Sequence, residues 1–161
     1  MAGEPTNKVY MPQGGDQLVV ASGGKLTMGA VDYPPASARI PKVLKTALVG
    51  VASTSGGGIA SVANPEGVDI LITRCLLHRT TKSTGAATAD IGIAADGTTS
   101  NDTLIDGIDI NATEGVDDNI KNKGTNGLER RIWGATQFLT MTGSATSAGL
   151  VGALYVEYVV P

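Results

Sequence analysis

The chain of 161 residues holds one cysteine and one histidine, and any thiol chemistry has to start from that pair. Cys75 and His78 suggest a nucleophile with an imidazole base, two groups that must come within hydrogen-bond reach of each other. The segment carrying them, VDILITRCLLHRT (68–80), alternates as a strand does. Side chains three residues apart on a strand leave opposite faces. Parity therefore separates the dyad, and both residues read as structural. His78 is also the sole imidazole open to a serine hydrolase, but no G-x-S-x-G elbow accompanies it.

Phosphate and metal chemistry fare no better. A phosphate-cradling loop needs G-x-x-x-x-G-K followed by Ser or Thr. Gly24-Lys25 is followed by Leu26, and Val19 stands where the first glycine belongs. Gly56-Gly57-Gly58 fails G-x-G-x-x-G at Ser61, so both stretches read as turns. The acidic run DGIDINATEGVDDN (106–119) begins like a calcium loop at Asp109, Asn111 and Thr113. Glu114 then occupies the place of the required glycine and Ile120 that of the bidentate glutamate, which leaves a solvated loop as the expectation. Asn101-Asp102-Thr103 and Asn111-Ala112-Thr113 fit the glycosylation pattern, with no secretion signal to give them meaning.

One cluster is rich in the residue types that dominate interfaces: Arg130, Arg131 and Trp133, in GLERRIWG (127–134). As plain structure it would be a strand with Ile132 buried and its neighbours solvated. A core needs large side chains and the chain has a single tryptophan, so Trp133 is expected in the core or at a subunit interface ahead of a ligand site. No catalytic residue, cofactor or metal ligand emerges, and the chain is not expected to be an enzyme.

The elements that position these residues are short strands. Apolar residues make up 42% and charged residues 17%, with 22 glycines, a composition suited to many turns between strands. A net charge of −3 offers no basic footprint for nucleic acid. A single cysteine requires no oxidising compartment. MAGEPTNKVYMPQGG lacks a basic region followed by an apolar run, and AGLVGALYVEYVVP is too short to span a bilayer, so a soluble protein made in the cytosol is expected. Period-two runs occur at 43–52, 56–64, 68–80, 89–96, 103–111, 127–134, 135–143 and 149–160, separated by SGGG, NPEG, TKSTGAAT, ADGTTSND and KNKGTNG. In 68–80, Ile70, Ile72, Leu76 and His78 should share one face and Cys75, Leu77 and Arg79 the other. In 149–160, Leu150, Leu154, Val156, Tyr158 and Val160 should oppose Val151, Ala153, Tyr155, Glu157 and Val159. About eight such strands predict an all-β, jelly-roll-like antiparallel β-sandwich over 42–161.

Residues 1–41 are punctuated by Pro5, Pro12, Pro34, Pro35 and Pro41 and should form an extended N-terminal arm. Within it, GDQLVVASGGKLTM (15–28) reads as a short β rung, two apolar runs on either side of a Ser-Gly-Gly turn. A lone rung cannot bury both its faces. Tyr10, Leu18, Val19, Val20, Leu26, Met28 and Tyr33 are therefore expected at an oligomer or partner interface.

The stretch ILITRCLLHRTTKSTGAATADIGIAADGTTSNDTLIDGIDI (70–110), the acidic EGVDDNIKNKGTNG (114–127) and RRIWGATQFLTMTGSATSAGLVGALYVEYVV (130–160) resemble tailed-bacteriophage capsid decoration (cement) or head-fibre-type virion proteins. GGDQLVVASGGKLTM looks like the amino-terminal arm of such proteins. The resemblance is one of general pattern over more than half of the chain. It implies a jelly-roll-like domain, a homotrimer, attachment to the major capsid protein on the outside of the head, and no catalytic residues. It makes the virion surface the expected location, with no nucleic acid or membrane as partner. A receptor- or carbohydrate-binding fibre or tail module is the alternative, against which stands a total of six aromatic residues.

Overall fold

The computed structural model describes residues 40–161 except 53 and 113, together with the backbone at 9–10, 19–20, 26–28 and 31–33. The chain divides into two units, Met1–Ile40 and Pro41–Pro161. In the first, β1 (Val9–Tyr10) pairs with β2 (Val19–Val20), and β3 (Leu26–Met28) pairs with β4 (Val31–Tyr33), both antiparallel. Each of the two apolar runs in the stretch 15–28 takes its partner strand from outside that stretch. Leu26–Met28 and Val31–Tyr33 lie two residues apart in sequence, the spacing of a tight hairpin. Leu18 falls outside the described residues.

The second unit is built from β5 (Lys42–Ala47), β6 (Ala60–Ala63), β7 (Ile70–Thr81), β8 (Thr88–Ala94), β9 (Ile105–Asp109), β10 (Gly115–Asp118), β11 (Arg131–Trp133), β12 (Phe138–Gly143) and β13 (Val151–Val159). No helix occurs among the described residues, and so none long and apolar enough to cross a membrane. One sheet has the order β10-β7-β13-β5, with β11 also on β7, and the other β6-β12-β8-β9. The unit's first strand lies beside its last, and the chain passes back and forth between two antiparallel sheets. That is the strand order of a jelly roll. Strands β10 and β11 pair with opposite ends of β7, at Leu76–Arg79 and Ile70–Ile72. They form one jelly-roll strand interrupted by the insertion 119–130.

The two sheets enclose a single core. Ile70, Ile72, Cys75, Leu77, Trp133, Leu154 and Val156 come from the first sheet, and Ile91, Ile93, Ile105, Leu139 and Met141 from the second, all buried. Burial of such side chains is the main term holding the sandwich closed. In β13 the expected alternation holds, with Leu154, Val156 and Tyr158 inward. In β7 it is broken. Glu157 pairs with Arg74 while Tyr158 pairs with Ile72, so Thr73 has no opposite residue and forms a β-bulge. The extra residue shifts the phase: Ile70 and Ile72 join Cys75 and Leu77 in the core, while Leu76 and His78 face out. A second irregularity skips Thr80, where Gly152 pairs with Arg79. A Cβ at Gly152 would stand 2.1 Å from the His78 carbonyl oxygen, so that crossing admits only glycine.

Candidate functional site

An antiparallel sheet with one face on the core ordinarily presents polar side chains on the other. The second sheet obeys this in its own way. Thr140 and Thr142 of β12 point away from the core yet are buried, because neighbouring loops roof them. The Gly57 amide donates to Thr142 Oγ1 at 3.0 Å, and the Ile93 amide donates to Thr103 Oγ1 at 3.2 Å. Gly92 is the point of closest approach, since a Cβ there would lie 2.2 Å from Asn101 Oδ1 and 2.6 Å from the Thr103 amide. Residues 56–57 and 97–103 thus lie over this sheet.

The first sheet has no such roof among the described residues of 41–161, and its outer face mixes exposed apolar side chains with Lys45, Arg74, Asp118 and Glu157. Residues paired directly across strands share a face. The registers therefore assemble a row Ala47–Ala153–His78–Val116, a row Lys45–Tyr155–Leu76–Asp118 and, farther along, Val159–Leu71–Ile132. Val43 (64% exposed), Val116 (62%), Val151 (52%) and Ile132 (50%) stand in solvent on it. Leu76, His78, Val116 and Tyr155 line a shallow hollow of about 280 Å³ at its centre. The Lys45 ammonium lies 5.5 Å from the Tyr155 ring centroid and covers one face of that ring.

The residues singled out for chemistry are kept apart. Cys75 is fully buried, and desolvation pushes its thiol up to about 12, so it supplies no thiolate near neutral pH. His78 lies on the other side of the sheet, and the bulge at Thr73 falls outside the interval between them, so the parity that separates them stands. The segment 106–119 is not one loop. It is the end of β9, a turn and β10, and its carboxylates have separate duties. Asp109 Oδ1 accepts from the Asn111 and Ala112 amides, whereas Asp117 is buried against Arg79. Thr113 lies outside the described residues, and no group of three or more acidic, His or Cys side chains among those described could hold a metal ion.

In the arginine–tryptophan cluster, Trp133 belongs to the core alternative. It is fully buried, and its Nε1 donates to the Gln137 carbonyl at 3.0 Å. Ile132, taken above as the buried member under the plain reading, is instead the exposed one, because Trp133 is too large to be left in water while the core has room for it. Arg130 is exposed and Arg131 half-buried. Of the arm residues, Tyr10, Val19, Val20, Leu26, Met28 and Tyr33 lie in β1 to β4 as given above.

Reading the sequence missed the structural residues that frame the bare face. Asn119, fully buried, accepts the Cys75 amide on Oδ1 at 2.7 Å and donates through Nδ2 to the Leu128 and Glu129 carbonyls, closing the 119–130 insertion. Glu66 accepts from Lys42 Nζ and from the Tyr158 hydroxyl at 2.7 Å, tying the start of β5 to the end of β13. These two bonds hold its carboxyl below the usual range, the Lys42 contact having the larger effect. A lone Asn and a Glu beside a turn carry no pattern that would mark them.

No family model matches this chain, and neither a curated protein nor a solved structure matches it.

Proposed function

We propose that this chain is a structural virion protein that binds the outside of an assembled phage head as an oligomer, a trimer on the sequence resemblance, and stabilises the shell. Its partners in this reading are the major capsid protein and further copies of itself, and its place is the capsid surface. One observation carries the reading: within Pro41–Pro161 the outer face of the first sheet exposes Val43, Val116, Ile132 and Val151 with no roof among that unit's described residues, whereas loops cover the outer face of the second sheet. Contiguous exposed apolar surface of this kind marks contact with another macromolecule. The mechanism would be mechanical. A protein that binds only the assembled shell stabilises it by mass action, and several copies in one oligomer multiply weak single contacts through effective concentration. The resemblance of residues 70–160 supplies the phage context.

A sugar-binding fibre module would use the same face by stacking rings on Tyr155. The Lys45 ammonium over that ring, and the aliphatic side chains around it, favour protein contact. The test is antibody labelling of intact particles of the encoding phage, imaged by electron microscopy. Regular label over the head supports the reading. Label confined to the tail tip, or protein recovered only away from particles, overturns it.

A further inference from the structure

Sheets most often associate through their edges, and both edges of the first sheet are guarded. Strand β5 starts directly after Pro41 and carries Lys42 and Lys45, while the β10–β11 edge is broken by the insertion 119–130. Proline, lysine and interruption are the usual devices against edge-to-edge pairing. Contact through this sheet is therefore face-on.

The face is complementary from side to side. On the β5 side Lys45 has no carboxylate partner among the described residues, and on the β10 side the same row ends at Asp118. In the neighbouring row Glu157 has no ion pair among the described residues, and it adjoins Arg74, whose guanidinium reaches Asp118 at 2.7 Å while its side chain stays 43% exposed. We propose that copies of this chain associate through this face, the β5 side of one copy against the β10 side of the next, about a rotation axis running along the strands. Lys45 then approaches Asp118 of the next copy, Glu157 approaches Arg74 of the next copy, and Leu76, His78 and Tyr155 turn toward the axis. The inference rests on the oligomeric part of the reading above. It does not depend on where the assembly docks.

Strand spacing and rise give the face roughly 500 Å² per copy. A standard interface needs roughly 800 Å² per partner, so the free protein associates weakly and with a strong dependence on concentration.

The register supplies the test. Ala47 and Val116 end one row on opposite sides, three strand spacings or about 14 Å apart within a copy. A disulfide needs Cα atoms within about 7 Å, so an Ala47→Cys/Val116→Cys double variant of the full chain can cross-link only between copies. Both positions lie on the surface face, and Cys75, fully buried, adds no background. Under mild oxidation a ladder is expected on a non-reducing gel that stops at the number of copies in the closed ring. Either single variant should give no ladder, and adding Leu76→Glu should abolish it. The proposal is overturned if the double variant stays monomeric, or if one single variant cross-links as well as the double. Sedimentation of the wild-type protein across concentrations separates the causes. An oligomer without a ladder means that another face is used, while a monomer at every concentration removes the oligomeric reading too.

Discussion

The carboxamide of Asn119 serves three backbone groups at once, the Cys75 amide and the Leu128 and Glu129 carbonyls. Asn119→Ala leaves the Cys75 amide and the carbonyls of Leu128 and Glu129 without that partner around a fully buried site. A loss of roughly 2–4 kcal/mol in denaturant unfolding is expected, since buried groups stripped of partners cost more than an average hydrogen bond contributes. A loss under 1 kcal/mol, on the same scale, would show the insertion to be closed by other contacts. Glu66 acts on a different axis, that of pH. Its folded pKa lies below the ordinary 4.5, set first by Lys42 and then by Tyr158, and that of Asp118 lies below 3.8, set first by Arg74 and then by the Lys121 amide. Both groups bind protons more readily in the unfolded chain. Their contributions are thus fully present above those ordinary values and lost as pH falls through the folded ones. Tyr158 runs the other way: desolvation, and after it Glu66, raise its hydroxyl to about 12, so its share is lost only as pH rises above 10. The unfolding midpoint should fall in acid below about pH 4.5, and Glu66→Gln should lower the neutral-pH midpoint while flattening part of that acid slope. An unchanged slope in the variant would assign the acid loss to other carboxylates.

Strand by strand, the apolar alternation is legible wherever the ladder is regular and misleading wherever it is not. Ile91 and Ile93 of β8, and Leu154, Val156 and Tyr158 of β13, face the core as their spacing requires. Strand β7 defeats the same argument halfway along, because a bulge at Thr73 looks like any other residue in the sequence while reversing every side chain beyond it. Strand β10 is invisible for the opposite reason. Its inward residue is Asp117, held by Arg79, and its outward residue is Val116, so polarity is inverted and the segment reads as an acidic loop. The outer face suffers likewise, since apolar residues on both sides of the sheet give Leu71, Leu76 and Tyr155 no contrast with their buried neighbours. The bulge can be tested directly. Thr73→Ala removes one hydrogen bond, Oγ1 to the Glu157 carbonyl at 3.1 Å, and should cost about 1 kcal/mol. Deleting Thr73, the residue with no opposite number, leaves a regular ladder that keeps Ile70, Ile72, Cys75 and Leu77 facing the core, so the variant should still fold, as read by near-ultraviolet circular dichroism around Trp133. A deletion variant that loses the native spectrum would mean that the bend and twist at the bulge are themselves needed for the sandwich to close.

At the scale of the molecule, the pairing of β5 with β13 makes the second unit close on itself, so its two ends are held by the same sheet. Such a unit unfolds as a whole, and anything that binds only the folded form shifts its midpoint. Self-association is a ligand of this kind, with the protein as its own titrant. If copies meet through the outer face of the first sheet, the thermal midpoint of the full chain must rise with protein concentration once the dissociation constant is passed. A hundredfold excess over that constant adds about 2.7 kcal/mol, which for a unit of this size moves the midpoint by on the order of 10 °C. Leu76→Glu puts a charge on the solvent side of β7 and leaves the core contacts of Cys75 and Leu77 in place. At low concentration its midpoint should lie close to wild type, and it should then stay flat where the wild-type midpoint climbs. Parallel curves for the two proteins would place the contact between copies elsewhere, and two flat curves would mean that the sheet's apolar face waits for a different partner.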